Sequence, residues 1–533
     1  MLTNADNLTM HFYKTRTSGT MDSSHKRYKP SNPRNLALSP TKKSRIESHE
    51  SHVATPESLI DKPGDQSISQ AADHVMQLKA KRSNGSAVKI SELQGYSKLT
   101  CASQAKLLID REVFEKGVLP TIESAKDSIH IASLYFEDDF VGDEITDRLI
   151  AKKRSSPDIA IRVIADGFNQ LQNPFHTPKN IQRLKNNGIE VFLHSPITNL
   201  SLEHRKLVIA DGERAVFGGW CFHDDYYATP RYMELYRNAV SKGGEHVERF
   251  LNEKYGPKYK EYWQSTQFSS KSPKKPPKPP TESVTEHMKH PAAHDSMVQV
   301  QGPIVRHLQA GFLQSWLHQG GQLDPDAEPK VTTSRYFPAS SAPGSNSIPA
   351  KVTHGIPQGQ SQMKRAMFEF IASAKQTLDI QIAYVTVSEF ADELSKAANR
   401  GVKIRLLSNG ADAQDSALCY RELRSYYPKL FASGDVELWE TKKYSHLKAM
   451  LADERFVFMT TGNPERTSWN KAFDETAVFD SPSLARALKE RVFAKDIHPN
   501  RATQIFVDDL KKPSLSDQLF TSVTNFFFSK IMR

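Results

Sequence analysis

The chain has 533 residues, of which 38% are hydrophobic and 25% charged, so it has room for two or more domains with substantial cores. Its net charge of +10 favours an anionic partner, such as a nucleic acid, an acidic membrane surface or a phosphate-bearing substrate. Three cysteines, no apolar N-terminal segment and no apolar run of membrane-spanning length argue against a disulfide framework, a zinc site, a signal peptide and a transmembrane helix.

Residues 1–95 are predicted to form a disordered basic and polar tail, with one short helix over Asp73–Lys81, because Ser, Pro, Asn, His and Lys dominate. From about Ser97 strands and helices alternate, which predicts an α/β domain with a central sheet. The predicted strands are Ala105–Ile109, Ile129–Tyr135, Ile159–Ala165, Glu190–Leu193, His204–Ala210 and Ala215–Phe217, and the predicted helices are Phe114–Lys126, Asp143–Lys153 and Lys179–Asn187.

The second half of the chain repeats this order of elements. Its predicted strands are Leu378–Val385, Lys403–Ser408, Asp435–Trp439 and a hairpin over His446–Met459, and its predicted helices are Gln362–Lys375, Ser388–Arg400 and Ala417–Phe431. We therefore predict a first half made of residues 96–226 and 295–320, and a second half made of residues 348–500.

An insertion, residues 227–294, separates the segments of the first half. It is predicted to be helical at first and then extended and solvated through the Lys/Pro tract SSKSPKKPPKPPTES. This tract either contacts anionic lipid headgroups or is an uninvolved surface loop. The sequence MVQVQGPIVRHLQAGFLQSW that follows predicts a strand, a Gly-Pro turn and an amphipathic helix, and Gly320–Ser347 is predicted to be loop.

Residues 501–533 are predicted to end the chain in an amphipathic helix. Apolar side chains recur at i+4 spacing on one face, which favours a helix docked on the body of the protein. Three consecutive Phe residues and terminal basic residues also suit an interfacial membrane helix. The residues concerned are Leu515, Leu519, Val523, Phe527 and Ile531 on the apolar face, with Phe526, Phe528, Lys530 and Arg533.

One sparse pattern, His-x-Lys followed by Asp at a fixed offset, occurs once in each half. The residues are His204, Lys206 and Asp211 in SLEHRKLVIADGERAVFGGWCF, and His446, Lys448 and Asp453 in YSHLKAMLADERFVFMTTGNPERTSW. Cys221 and Asn463 stand equally far beyond the two Asp residues. Two copies in the same position of two similar halves are a far stronger signal than one copy.

The chemistry follows from the residue types. Residues i and i+2 of a strand face the same side, so each copy presents an imidazole beside an ammonium group. Two such faces together suit a phosphodiester, because lysines neutralise the non-bridging oxygens while one histidine attacks phosphorus and the other protonates the leaving alkoxide. The phosphohistidine then passes to water or to another alcohol. No metal or other cofactor is needed, because the lysines supply the positive charge.

On these residues the chain resembles the phospholipase D superfamily with two HKD motifs, and most of all its cardiolipin synthase or phosphatidyltransferase type. The likeness covers Ser97–Tyr226 and Asp295–Asp480, including AKDSIHIASLYFEDDFVGDEI, SMVQVQGPIVRHLQAGFLQSW and NPERTSWNKAFDE. It implies two similar α/β sandwich halves, each a central mixed sheet flanked by helices. It also implies a pseudo-twofold relation between the halves and an active site at their interface.

The resemblance also assigns roles to residues. His204 is expected to be the nucleophile and His446 the general acid/base, or the reverse. Lys206 and Lys448 are expected to hold phosphate, with Asn463 as a hydrogen-bond donor.

Carboxylates are expected in two supporting roles. Asp211 and Asp453 are expected to organise their hairpins rather than carry protons. A later carboxylate in each half is expected to orient a histidine: Glu475, with Asp474 as the alternative, in the second half, and Asp295, or the sequence-nearer Glu234, in the first.

Two residues depart from the family pattern: Cys221 stands where Asn is usual, and Thr460 replaces a Gly.

We therefore expect a phospholipase D-type phosphodiesterase or phosphatidyl transferase acting on glycerophospholipids, with water or an alcohol as acceptor. The alternatives are an HKD-type nuclease and a non-enzymatic membrane-binding scaffold. A monomer with both motifs is expected to be competent, and nucleic acid is not the expected partner. The expected location is cytoplasmic or peripheral to a membrane, with export by a signal-independent route left open.

Overall fold

The protein is described from a computed structural model, and the described residues are 66–167, 178–194, 201–223, 226–227, 293–339, 346–358, 362–414 and 416–510. Three predictions therefore fall wholly or mostly outside them: the tail before residue 66, the insertion, which includes Glu234, and the C-terminal helix beyond residue 510. No helix in the described part of the chain is long and apolar enough to cross a membrane.

Strands and helices alternate as the sequence predicts. The strands are β1 Tyr96–Ala102, β2 Gln104–Ile109, β3 Ser128–Ser133, β4 Ala160–Asp166, β5 Glu190–His194, β6 Leu202–Glu203, β7 Lys206–Ala210, β8 Arg214–Gly218, β9 Ser296–Gln301, β10 Ile348–Gly355, β11 Thr377–Ile382, β12 Lys403–Asn409, β13 Val436–Thr441, β14 Lys448–Ala452, β15 Phe456–Thr460, β16 Ala472–Asp480 and β17 Ala502–Ile505. The α-helices are α1 Gln66–Ser83, α2 Leu119–Ser124, α3 Phe140–Ser155, α4 Lys179–Asn186, α5 Ile304–His318, α6 Pro329–Tyr336, α7 Gln362–Ser373, α8 Ser388–Asn399, α9 Ala417–Phe431, α10 Arg466–Asn470, α11 Pro482–Leu488 and α12 Ala494–Asp496. Short π-helical segments, Val113–Val118 and Lys489–Phe493, lead into α2 and α12.

Two mixed sheets carry the repeat. The first has the strand order β2-β9-β8-β7-β3-β4-β5, and the second contains β10-β16-β15-β14-β11-β12-β13 in the same arrangement, extended by β1 and β17 at its edges. In each sheet three parallel strands (β3-β4-β5 and β11-β12-β13) join an antiparallel group that includes the motif hairpin. The predicted α/β halves with central mixed sheets are confirmed.

The core lies in three layers. One apolar cluster fills the space between the two sheets. A second lies under the outer helices of the second half, and a third lies under those of the first half. Helix α5 crosses the central layer, where every residue of it except Arg306 and the terminal His318 is buried. The prediction of an amphipathic helix was therefore wrong, because sheets cover α5 on more than one side and leave no solvent face.

Both motif Asp residues close their hairpins in the same way. Asp211 and Asp453 lie in the left-handed region, with φ of 55° and 52°, at the turn between the hairpin strands. Each carboxylate accepts hydrogen bonds from three consecutive backbone N–H groups. The N···O distances are 2.7–2.9 Å for Asp211, and the shortest N···O distance from each amide is 2.7–3.0 Å for Asp453. These amides lead into the neighbouring strand and belong to Lys126, Asp127 and Ser128 in the first half and to Lys375, Gln376 and Thr377 in the second.

Residues 66–95 are ordered, which corrects the prediction that a disordered tail extends to residue 95. Helix α1 extends well beyond the predicted Asp73–Lys81 and packs Ala72, Val75 and Leu78 into the central cluster. Lys79 is buried, and its Nζ donates to Thr332 Oγ1 at 2.8 Å. The sequence signal was weak because only a narrow stripe of α1 is apolar. The predicted loop Gly320–Ser347 likewise contains α6.

Candidate active site

The two His-x-Lys segments begin next to strands of the opposite half. Strand β6, just before His204, pairs with β16, and the His204 N–H donates to Phe473 O at 3.1 Å. The His446 N–H donates to His294 O, at 2.8 Å, beside β9 of the first half. Each histidine lies in an extended segment two residues before its motif strand rather than within the strand. The backbone therefore brings the two histidines to one place.

The two lysines are the first residues of β7 and β14 and are buried beside the histidines. Lys206 Nζ donates to the carbonyl oxygen of His204 at 2.6 Å, and Lys448 Nζ to that of His446 at 2.8 Å. Lys448 Nζ also lies 2.9 Å from His446 Nε2. Among the described residues, neither ammonium group has a carboxylate at hydrogen-bonding distance. The two buried positive charges can therefore bind an anion.

Each histidine is hydrogen-bonded to a carboxylate from the other half. His204 Nδ1 lies 2.9 Å from Asp474 Oδ1, and His446 Nδ1 lies 3.0 Å from Asp295 Oδ2. All four side chains are buried. The exchange is reciprocal, so the site is complete only when both halves are in place.

Asp295 and Asp474 occupy equivalent positions. Backbone hydrogen bonds align the sheets: the Gly219 N–H donates to Ser296 O in the first half, and the Thr461 N–H donates to Glu475 O in the second. Asp295 immediately precedes Ser296, and Asp474 immediately precedes Glu475. An Asp at this position thus faces the opposite half in both sheets.

The placement of Glu475 corrects the sequence-based expectation. Adjacent residues of a strand point to opposite faces, so Asp474 reaches the site and Glu475 lies behind it. There Glu475 Oε1 is 2.7 Å from His354 Nδ1 and 3.6 Å from Arg205 Nη1. The alternative residue, Asp474, is therefore the one that the structure places against a motif histidine, and the histidine belongs to the first half.

Comparisons with known proteins find a matching family, similar sequences and a similar fold. Residues 118–229 and 367–497 match the family described as cardiolipin synthase, PLD-like domain. Cardiolipin synthase 1 of Bacillus cereus is 22% identical over an alignment of 427 residues that covers 78% of this chain and 70% of that protein. Cardiolipin synthase 2 of Bacillus anthracis is 22% identical over 446 residues, 81% of this chain and 72% of that protein. The crystal structure of phosphatidylserine synthase from Haemophilus influenzae Rd KW20 has a similar fold, with a TM-score of 0.53, 12% identity, and coverage of 85% of this chain and 97% of that chain.

Over these two stretches the chain is similar to PLD-like domains. The predicted resemblance is thereby confirmed, and both matched stretches contain one HKD motif.

Burial is the largest influence on the pKa values of the histidines, Lys448 and Asp295 in this site. It lowers the pKa of His204 and His446, and the neighbouring lysines lower both further, so the imidazoles are neutral near pH 7. Burial also lowers the pKa of Lys448 to about 8, against the opposing attraction of Asp295. The pKa of Asp295 is raised to about 7 by burial, although Lys448 opposes the rise.

Asn463 and Cys221 make the two motifs unequal. Asn463 is buried, and its Nδ2 donates to Glu465 Oε1 at 3.4 Å. Cys221 is buried too; burial raises the pKa of its thiol, which lies close enough to Lys206 and Lys448 to interact with both charges. A thiol is a weaker hydrogen-bond donor than an amide. The first motif therefore contributes one amide fewer to the site.

Thr460 is accommodated without strain at the place of the usual Gly. Its Oγ1 lies 2.8 Å from Thr476 Oγ1 and accepts from the Gly462 N–H at 3.2 Å. The first half differs, because Gly218 has a φ of 154° and a Cβ there would come within 2.6 Å of Ser296 O. At this position glycine is required only in the first half.

Several residues of the site were missed from the sequence. The rings of Tyr226, Tyr384 and Tyr444 surround His446, with centroid distances of 5.3, 6.1 and 6.1 Å. His294 bridges Asp110 and Asp496 with 2.8 Å contacts on both ring nitrogens. No spacing rule links these residues to the motif. In the described part of the chain, no three His, Cys, Asp or Glu side chains are grouped to hold a metal ion.

Proposed function

We propose that the protein is a phosphatidyl transferase or phosphodiesterase that acts on glycerophospholipids through a covalent phosphohistidine. The observation that carries this proposal is the reciprocal arrangement of two His–Asp pairs, each with a neutral imidazole, around two buried lysines. The names of the relatives support a phospholipid substrate, and their cardiolipin synthase names favour an alcohol over water as the acceptor.

In the proposed reaction the lipid phosphate binds between Lys206 and Lys448, with Asn463 as a further donor. Nε2 of His204 forms a bond to phosphorus, and the bond from phosphorus to the headgroup oxygen breaks. The Nε2–H of His446 gives its proton to that oxygen, while Nδ1 takes up the proton held by Asp295, whose pKa burial raises to about 7. An acceptor alcohol then loses its proton to His446 and attacks phosphorus, which releases His204. The lysines stabilise the negative charge that develops on the phosphoryl oxygens in both steps.

Carboxylates act on the histidines rather than on the substrate. Asp474 accepts from the Nδ1–H of His204, which leaves the Nε2 lone pair of His204 available to phosphorus. Asp295 exchanges a proton with Nδ1 of His446, so that Nε2 of His446 can act first as acid and then as base. Asp211 and Asp453 remain at the far ends of the hairpins and take no part in proton transfer.

The test is a product screen with vesicles of phosphatidylglycerol or phosphatidylcholine, with and without added glycerol. We expect headgroup release or a new phosphatidyl product, and loss of both in His204→Gln and His446→Gln variants that keep the wild-type melting temperature. Trapping with phosphate-labelled lipid and a denaturing quench at neutral to alkaline pH, where a phosphohistidine survives, is expected to leave label on His204. Cleavage of plasmid DNA without any lipid turnover would instead support a nuclease.

A further inference from the structure

His294 lies between the two halves and contacts a carboxylate from each. Its Nδ1 is 2.8 Å from Asp110 Oδ1 of the first half, and its Nε2 is 2.8 Å from Asp496 Oδ2 of the second half. A neutral imidazole has only one N–H, so two acceptors at this distance require the doubly protonated cation. Although burial lowers the pKa of His294, the hydrogen bonds to the two carboxylates raise it to about 10. We refer to Asp110, His294 and Asp496 together as the clasp.

The clasp is joined to the segment that ends in the second motif histidine. His294 O accepts the His446 N–H at 2.8 Å and the hydroxyl proton of Ser445 at 3.3 Å. Gln381 Nε2 lies 3.0 Å both from Ser445 Oγ and from Asp496 Oδ2. The backbone position of His446 therefore depends on the clasp from two directions.

Asp295, the carboxylate partner of His446, is attached to the same clasp. It follows His294 directly in the chain, and its N–H donates to Asp110 Oδ1 at 3.1 Å, the oxygen that His294 also contacts. Its carbonyl oxygen accepts from the Asp110 N–H at 2.8 Å. Asp110 has a left-handed backbone with φ of 53°, a conformation that costs energy in residues other than glycine and persists where the surroundings hold it. Both members of the His446–Asp295 pair are therefore fixed to the clasp.

The other half reaches the same result with an apolar residue. Phe473 occupies the position equivalent to His294, because it directly precedes Asp474 and its carbonyl oxygen accepts the His204 N–H at 3.1 Å. Phe473 is buried in the central apolar cluster, and its strand, β16, pairs with β6. At His294 the corresponding backbone pairing is a single bridge to Ser445. Charged side chains therefore supply on this side the attachment that apolar packing supplies on the other.

We propose that His294 is a positioning residue: its charge holds the clasp together, and the clasp keeps the His446–Asp295 pair in the orientation that proton transfer requires. This inference rests on the proposed function, in which the bond from phosphorus to the headgroup oxygen breaks while His446 protonates that oxygen. Without the cation two carboxylates from opposite halves repel each other, which displaces the segments attached to them. The chemical step most affected is the one that needs the proton.

The experiment compares His294→Asn, which removes the cation, with His294→Arg, whose guanidinium can donate to two carboxylates. Arg491→Gln is the matched control, because it breaks a neighbouring ion pair between the halves, from Arg491 Nη2 to Glu112 Oε2 at 2.5 Å. Each variant receives vesicles of two lipids that differ only in the leaving group, phosphatidylglycerol and phosphatidyl-p-nitrophenol. The glycerol oxygen needs a proton to leave, whereas the weakly basic nitrophenolate does not. Single-turnover kinetics measure the release of each group.

His294→Asn is expected to slow the release of glycerol by about 10- to 100-fold and to leave KM and the release of nitrophenolate near wild type, because only glycerol depends on the acid. His294→Arg and Arg491→Gln are expected to be near wild type with both lipids. Equal slowing with both lipids in His294→Asn, or a folded His294→Arg that is as slow as His294→Asn, would overturn the proposal.

NMR of the full-length protein labelled with ¹⁵N-histidine tests the clasp without lipid. Signals are assigned by their loss in His294→Asn, His446→Gln and His204→Gln. Both ring nitrogens of wild-type His294 are expected to be protonated at slightly alkaline pH, and His294→Asn is expected to shift the ring signals of His446 but not those of His204. A neutral His294, or unchanged His446 signals, would contradict the proposal. If the wild type turns over neither lipid, the proposed function fails, and these signals still decide the role of His294.

Discussion

Asp453, despite its place in the HKD motif, is expected to contribute to stability and not to chemistry. Its carboxylate accepts from three backbone N–H groups, and its backbone is left-handed, with φ of 52°. By analogy with a helix N-cap, loss of the carboxylate costs about 1–2 kcal/mol. Replacement by a residue other than glycine that lacks a short polar side chain costs roughly 1 kcal/mol more, because such residues are strained in the left-handed backbone conformation.

Three substitutions separate these contributions. Asp453→Ala is expected to lose about 2–3 kcal/mol of unfolding free energy, Asp453→Gly about 1–2 because glycine removes the strain, and Asp453→Asn about 1 because the amide keeps one acceptor oxygen. Urea unfolding followed by circular dichroism measures these losses. Asp211→Ala, the same change in the first half, is expected to match Asp453→Ala.

Lipid turnover per folded molecule is expected to stay near wild type in all of these variants. Lys448 begins β14 and Asp453 follows its last residue, so their Cα atoms are roughly 17 Å apart at the usual rise per residue of a strand. A variant Asp453→Asn that keeps its unfolding free energy and yet is as inactive as His446→Gln would refute this reasoning and place the Asp in the proton-transfer chemistry.

Three further predictions follow from the site. Asp474→Asn is expected to lower kcat by about 100-fold or more with little change in melting temperature. Glu475→Gln is expected to lose about 1–3 kcal/mol of unfolding free energy and to keep kcat. The reverse pattern in kinetics and melting would contradict the assignment of Asp474 to the site-facing side of β16. Burial alone would lower the pKa of His294, but hydrogen bonds to two carboxylates raise it from 6.5 to about 10. The stabilisation by His294 is therefore complete below about pH 6.5 and is lost as the pH rises through about 10, so the difference in unfolding free energy between wild type and His294→Asn is expected to shrink over that range. Because burial lowers the pKa of Lys448 to about 8, kcat/KM is expected to fall above pH 8 as the phosphate loses one cation; a profile flat to pH 9.5 would contradict this.

The repeated order of strands and helices could be predicted from the sequence because local hydrophobic patterns specify it. The helices around Lys179, Ser388 and Ala417 have the apolar spacing of elements that cover one face of a sheet, and the structure has them within one residue of the predicted bounds. Helix α5 was wrongly predicted to be amphipathic, because it is buried on several sides. Helix α1 was predicted too short, because few of its residues are apolar. Their surroundings come from distant parts of the chain.

The sequence by itself determined that each half carries an imidazole and an ammonium group on one extended segment, because i and i+2 side chains share a face. It also indicated that the motif Asp residues belong to turns. Tertiary structure alone decided the partners of the histidines, because Asp295 and Asp474 come from the half opposite to the histidine that each one contacts. It also decided between Asp474 and Glu475, since a choice between adjacent strand residues depends on which face of β16 meets the other half.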